Sequence, residues 1–195
     1  MKLYFKECRA GKLIVDIKTI KQVEKESDCL ADAAKLNDVL DKLAKNITAD
    51  FKDKNPLVLC VMTGGIIPTG HLVTRLTFPL QLDYIHATRY RGETSGGELH
   101  WIQEPSISLK NRNIIIIDDI FDEGITLLEI AKYCETKGAS SVKSVVLVNK
   151  LHDRKADYQP DYVGLDIEDR YLFGFGMDYK NYLRNINAIY AVKGM

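Results

Sequence analysis

The stretch that decides the fold is "IIIIDDIFDEGITL", Ile114 to Leu127. Four consecutive isoleucines are comfortable only where both sides of the chain are covered, as in a strand inside a parallel sheet. The next six positions carry four acids, Asp118, Asp119, Asp122 and Glu123, ahead of Gly124 and a run with helical spacing. A buried strand that ends in crowded negative charge, then turns through glycine into a helix, describes the ligand-binding edge of an open α/β sheet.

Working outward, the same alternation recurs. Leu36, Leu40, Leu43, Ile47 and Phe51 keep helical spacing, with Ser27 or Asp28 placed to cap the start. Asn55-Pro56 closes that helix. "LVLCVM" (57–62) reads as a strand covered on both faces, and "TGGIIPTGHLVTRL" (63–76) turns into a helix with Pro68 tolerable in its first turn. "LQLDYIHATRY" (80–90) is another strand. "RGETSGGELH" (91–100) is polar and aperiodic, which predicts a mobile loop fit to act as a lid. "NIIIIDD" (113–119), "SVVLVNK" (144–150), "DYVGLDI" (161–167) and "NAIYAV" (187–192) supply further strands, and "ITLLEIAKYCETKG" (125–138) supplies a helix stopped at Gly138. Strands alternating with helices predict a mostly parallel central sheet flanked by helices, in one domain spanning 1–195.

Composition narrows the function classes. Among 195 residues, 27 Lys and Arg balance 27 Asp and Glu, so no basic face draws the chain to nucleic acid. No apolar run approaches the roughly 20 residues that span a bilayer. Cys8, Cys29, Cys60 and Cys134 stand singly, which predicts reduced thiols and a cytoplasmic setting. His71, His86 and His152 show no partner at metal-ligand spacing.

The chemistry gathers after Ile117. Amides at a glycine turn opening a helix, with the helix dipole behind them, make a seat for phosphate. Four acids cannot all face that phosphate, since like charges at short range repel. They fit instead the hydroxyls of an attached sugar and a divalent cation such as Mg²⁺, which takes oxygen ligands. A solvated turn rich in acids, favoured by the helix macrodipole, is the plainer alternative.

"IIIIDDIFDEGIT" resembles the phosphoribosyl pyrophosphate (PRPP) motif of the type I phosphoribosyltransferases. Asp122, an acid after two spacer residues, is similar to the mark of the hypoxanthine-guanine branch. The likeness runs over about 57–192, through "VMTGGIIPTG", "LDYIHATRY" and "LVNKLHDRKADYQPDYVGLDIEDRYLFGFGMDYKNYLRN". It implies a type I phosphoribosyltransferase fold, with a small hood built from about 150–195 and N-terminal residues. It also implies an activity: PRPP and a 6-oxopurine base, hypoxanthine or guanine, give a nucleoside monophosphate, IMP or GMP, and pyrophosphate.

Residue roles follow from the same resemblance. Asp118 and Asp119 would meet the ribose hydroxyls and Mg²⁺, and Asp122 would be the general acid/base at N7 of the purine. Its neighbours Asp118, Asp119 and Glu123 are expected to raise its proton affinity. Glu123, Gly124, Ile125 and Thr126 would bind the 5′-phosphate. Thr63-Gly64 matches the pyrophosphate loop, where a non-proline cis peptide is usual, and Arg184 would clamp pyrophosphate. Lys150 would read the 6-oxo group, Tyr171 would stack on the base, and Leu172 would meet its edge through the backbone. Asp178 would border the purine and help hold a second Mg²⁺. The family's habit of pairing implies a homodimer or homotetramer. Three positions depart from the pattern: Thr63 and Ile125 stand where lysine is frequent, and Glu123 stands where threonine or serine is usual. The runner-up function is a PRPP-binding regulatory protein of this fold without catalysis. A phosphohydrolase with an aspartyl nucleophile leaves Gly124, Thr126, Lys150 and Arg184 unexplained together.

Overall fold

The structure, a computed structural model, describes residues 16–89 and 99–194. The elements are α1 (Ile17–Glu26), β1 (Asp28–Ala31), α2 (Ala33–Phe51), β2 (Leu57–Val61), α3 (Ile66–Val73), β3 (Gln81–Arg89), β4 (Leu99–Gln103), β5 (Asn113–Phe121), α4 (Ile125–Thr136), β6 (Ser141–Leu151), β7 (Tyr162–Glu168), β8 (Leu172–Phe173) and β9 (Ile189–Ala191). Six strands form one sheet in the order β4-β3-β2-β5-β6-β7, parallel from β3 to β7, with β4 antiparallel at one edge.

The isoleucine run explains why this sheet holds together. Successive strand residues face opposite sides. Ile115 and Ile117 therefore pack with Val58 and Leu147 against Leu40, Ile47 and Leu72 of α2 and α3. Ile114 and Ile116 pack with Leu57 and Leu59 against Leu127, Ile130 and Cys134 of α4. All four are at most 1% exposed, and each full burial of such a side chain contributes roughly 1.5–3 kcal/mol.

A second sheet of three strands, β1-β9-β8, joins the N-terminal strand to the C-terminal ones. Its existence corrects the expected start of the long helix. Ser27 closes α1, its hydroxyl donating to the Val23 carbonyl at 2.6 Å. Asp28 is extended, opposite Ala191 in β9, with its carboxylate 2.6 Å from Arg170. The cap of α2 is Asp32, which accepts from the Lys35 amide at 2.9 Å. A four-residue strand whose partner lies some 160 positions away leaves no local period to read.

Two further boundaries differ from expectation. Leu99 and His100 belong to β4 rather than to the loop, and Trp101 packs on Tyr133 at 4.6 Å between centroids. The rest of the expected lid, 91–98, lies outside the described residues, as does Cys8. β5 runs two residues past Asp119. Its pairing with β2 stops at Ile117, where β2 turns away, while pairing with β6 continues to Phe121. The strand thus keeps its direction but loses one neighbour, and this opens the edge on which the acids stand. Among the described residues Cys29, Cys60 and Cys134 are free thiols, and no helix is long and apolar enough to cross a membrane.

Candidate active site

Where β2 leaves the sheet, the peptide between Met62 and Thr63 is cis, and Gly64 comes against Asp119. A Cβ on Gly64 would lie 2.1 Å from the Asp119 carboxylate, so only glycine lets the two segments meet. Asp119 is 7% exposed and stays on the strand; the Asp118 carboxylate accepts from the Asp119 amide at 2.9 Å. Burial, followed by the charge of Asp119, holds the Asp118 carboxyl well above the usual range. Burial raises Asp119 as well, against the opposing effects of its hydrogen bond to Asp118 and of Arg184. The nearest cation is the Arg184 guanidinium, 3.9 Å from Asp119. A buried acid beside a half-buried one, with so little countercharge, suits a hard divalent cation that takes oxygen ligands.

Beyond Phe121 the chain turns at Gly124, whose φ of 78° lies in the left-handed region. A side chain there would also strike the Phe121 ring at 2.3 Å. α4 starts at Ile125 with no side-chain cap, and the Leu128 N–H returns to the Gly124 carbonyl at 3.0 Å. The opening amides of a helix have no intrahelical acceptor, so those of Ile125, Thr126 and Leu127 can serve an anion, with the dipole behind them. Glu123 is half-buried, and its carbonyl accepts from the Ala156 amide at 2.8 Å. That bond ties the turn to the segment after β6.

Asp122 lines the same cavity as Asp118, Asp119 and Glu123, and its carboxylate meets cationic and donor groups. Asp119 is the acid whose charge raises Asp118. Lys150, 8% exposed at the end of β6, places Nζ 2.8 Å from Asp169 and 3.4 Å from Asp122. Hydrogen bonds from Lys150, then from Arg154, pull the Asp169 carboxyl down to about 2. The other Asp122 oxygen meets His152 Nε2 at 2.7 Å. This contact was not foreseen, because His152 has no partner at ligand spacing in the sequence. A signal existed: residues two apart at a strand end share a side, and His152 follows Lys150 by two. Asp169 was missed for a similar reason, its partners being 15 and 19 positions away. Asp122, His152 and Asp169 bring potential ligand atoms within 4.8 Å of one another, but the Lys150 ammonium already occupies the place of a cation between the two carboxylates.

On the far side, Tyr171 is 42% exposed with its ring edge-on to Tyr179 at 5.6 Å, while Phe173 is fully buried. Leu172 is buried in β8, opposite Ala191. Arg184 reaches the Gly176 carbonyl at 2.6 Å and Asp178 at 2.5 Å, and Asp178 also accepts from the Asn181 amide at 2.7 Å. Lys180, Asn181 and Leu183 between them adopt positive φ, a costly backbone kept where surrounding contacts enforce it.

These parts line two adjoining cavities. The larger, about 890 Å³, is bordered by Thr63, Gly64, Asp118, Gly124, Thr126 and Arg184 among others. The smaller, about 240 Å³, lies between Lys150, Tyr171, Leu172 and Met177. Asp119, Ile120, Asp122 and Asp178 border both. Of the residues expected in the site, Ile125 alone borders neither cavity; as the first residue of α4 it can contribute only through its backbone amide.

Comparison with known proteins agrees with this geometry. The family model for the phosphoribosyl transferase domain matches residues 27–181. The hypoxanthine-guanine-xanthine phosphoribosyltransferase of Tritrichomonas foetus is 33% identical over 153 residues, 78% of this chain and 84% of its own. The hypoxanthine-guanine phosphoribosyltransferase of Bacillus subtilis is 32% identical over 153 residues, 78% and 85% respectively. A crystal structure of a hypoxanthine phosphoribosyltransferase from Staphylococcus aureus superposes with a TM-score of 0.83 at 26% identity, covering 91% of this chain and 97% of that one. A structure of the Trypanosoma cruzi enzyme gives 0.82 at 27% identity over 87% and 97%. The matched family model and these relatives together show that the chain belongs to the phosphoribosyltransferases, in the hypoxanthine-guanine group.

Proposed function

We propose that this chain carries out purine salvage, transferring the phosphoribosyl group of PRPP to N9 of hypoxanthine or guanine with release of pyrophosphate. The observation that carries this reading is the pair of adjoining cavities sharing Asp119, Ile120, Asp122 and Asp178. One is polar and suits a sugar phosphate; the other is smaller, with Lys150 and Tyr171 in its lining. A group passed from one occupant to the other crosses the shared wall.

In this reading the amides of residues 123–126 and the Thr126 hydroxyl hold the 5′-phosphate, while Thr63-Gly64 and Arg184 hold pyrophosphate. Asp118 and Asp119 face the ribose hydroxyls. They, with Asp178, would hold Mg²⁺, which compensates charge on a departing phosphate. Asp122 takes up or shares the N7 proton as N9 attacks C1, where positive charge develops as in glycoside cleavage. Lys150 donates to O6, Tyr171 stacks on the base, and Leu172 and Asp178 border its remaining edge. An adenine 6-amino group would set a donor against the one N–H that Lys150 has left, which disfavours it. The test is the steady-state rate with PRPP, Mg²⁺ and each of hypoxanthine, guanine, xanthine and adenine. Nucleotide formation is expected with hypoxanthine and guanine and not with adenine. No product from any base would favour a non-catalytic PRPP-binding protein instead.

The chain works as one domain, with the three-stranded sheet as its hood. We place it in the cytoplasm, in line with its free thiols. Self-association is supported by Leu82 and Tyr84, 51% and 44% exposed on one face of β3.

The acidic pair has a further consequence. A carboxyl whose folded-state pKa is raised gives up stability as pH climbs from the unfolded carboxylate range through that raised value. Near neutral pH Asp118 is therefore a cost in the absence of ligand. Asp118→Asn is expected to raise the melting temperature of the ligand-free protein, by an amount equivalent to about 1 kcal/mol, while lowering turnover. Calorimetry without PRPP or Mg²⁺ checks this, and a lower melting temperature would contradict it.

A further inference from the structure

We propose that His152 is a positioning residue for Asp122, an inference that rests on Asp122 being the acid/base group. Asp122 alone is a poor candidate for accurate proton transfer, because its side chain is 48% exposed and nothing in its own turn fixes the carboxylate plane. His152 supplies what is missing. Its side chain is 5% exposed, and both ring nitrogens are engaged. The Arg154 backbone amide points at Nδ1 at 3.1 Å. A backbone N–H can only donate, so Nδ1 must accept and the ring hydrogen lies on Nε2. Nε2 then donates to Asp122 Oδ1 at 2.7 Å.

The result is a carboxylate gripped on one oxygen by a buried donor whose tautomer the main chain dictates. Oδ2 faces Lys150 at 3.4 Å. A carboxylate oxygen has two lone-pair sites, which leaves one on Oδ2 for the base. Lys150 meets the base and Asp122 together, so the imidazole is the partner on Asp122 that need not move when a substrate enters. Displacing a reacting group by about 1 Å costs on the order of a hundredfold in rate, and that is the scale expected from losing this grip.

The variants are His152→Leu, His152→Gln and His152→Asn, each also measured in the Asp122→Asn background. Glutamine can place an amide N–H where imidazole Nε2 lies; asparagine is too short. His152→Leu is expected to lower kcat by about 10- to 100-fold, with KM for PRPP within about twofold because the phosphate turn is untouched. His152→Gln should recover most of the loss and His152→Asn should not. Combined with Asp122→Asn, His152→Leu should add no further loss, since there is no longer a carboxylate to position. Wild-type turnover in His152→Leu, equal impairment in the Gln and Asn variants, or fully additive losses would overturn the proposal. The glutamine and asparagine pair keeps it testable if the leucine variant folds poorly. Full turnover in Asp122→Asn would remove the acid/base reading itself; loss there beside an unaffected His152→Leu would overturn the positioning role alone.

Discussion

Asp122→Asn is expected to lower kcat by about 10²–10⁴-fold, the range that a positioned proton-transfer group contributes, while KM for PRPP changes little. The substitution keeps the side chain's size and a carbonyl oxygen that can accept from His152 at 2.7 Å, and it puts an amide in place of the oxygen that faces Lys150 at 3.4 Å. It removes the ability to take a proton, together with the carboxylate's contact to Lys150. The phosphate turn at Gly124 and the acids Asp118 and Asp119 are built from neighbouring but separate residues, so PRPP should still bind. A rate within threefold of wild type would remove Asp122 from the acid/base role. A loss confined to KM for PRPP would make it a sugar ligand instead.

Replacing Lys150 is expected to act on the other cavity. Its ammonium is buried, held 2.8 Å from Asp169 and 3.4 Å from Asp122, and has one N–H left for a ligand. Lys150→Met keeps the apolar stem and deletes the charge. Loss of one charge-assisted hydrogen bond, roughly 1.5–3 kcal/mol, corresponds to about a 10- to 100-fold rise in KM for hypoxanthine and guanine. KM for PRPP should stay near its starting value, and discrimination against adenine should weaken. The same variant strips Asp169 of the larger of the two contacts that draw its carboxyl to about 2, so that group should titrate nearer the ordinary range. An equal loss for every base, adenine included, would contradict the reading of Lys150 as the 6-oxo contact.

Much of the sheet was legible because its information is local. Ile114 to Ile117 have no tolerable surface placement, and "LVLCVM" and "SVVLVNK" repeat the pattern, so a parallel core follows from composition in short windows. Gly124 announced its turn because few residues other than glycine occupy that backbone. What could not be read was pairing over distance. β1 is held by a strand from the other end of the chain, and Asp32, not Ser27 or Asp28, reaches the first turn of α2. β5 continues in register with β6 to Phe121, which brings Asp122 to the end of β6, where Lys150 and His152 meet its carboxylate. Those partners lie 28 and 30 positions away, beyond any local pattern.

The most direct test of the central claim is the structure of the protein with PRPP and Mg²⁺ bound. The 5′-phosphate is expected against the amides of residues 123–126, with the ribose hydroxyls facing Asp118 and Asp119 and the pyrophosphate toward Gly64 and Arg184. PRPP lodged elsewhere, with the Gly124 turn making no contact to phosphate, would contradict it.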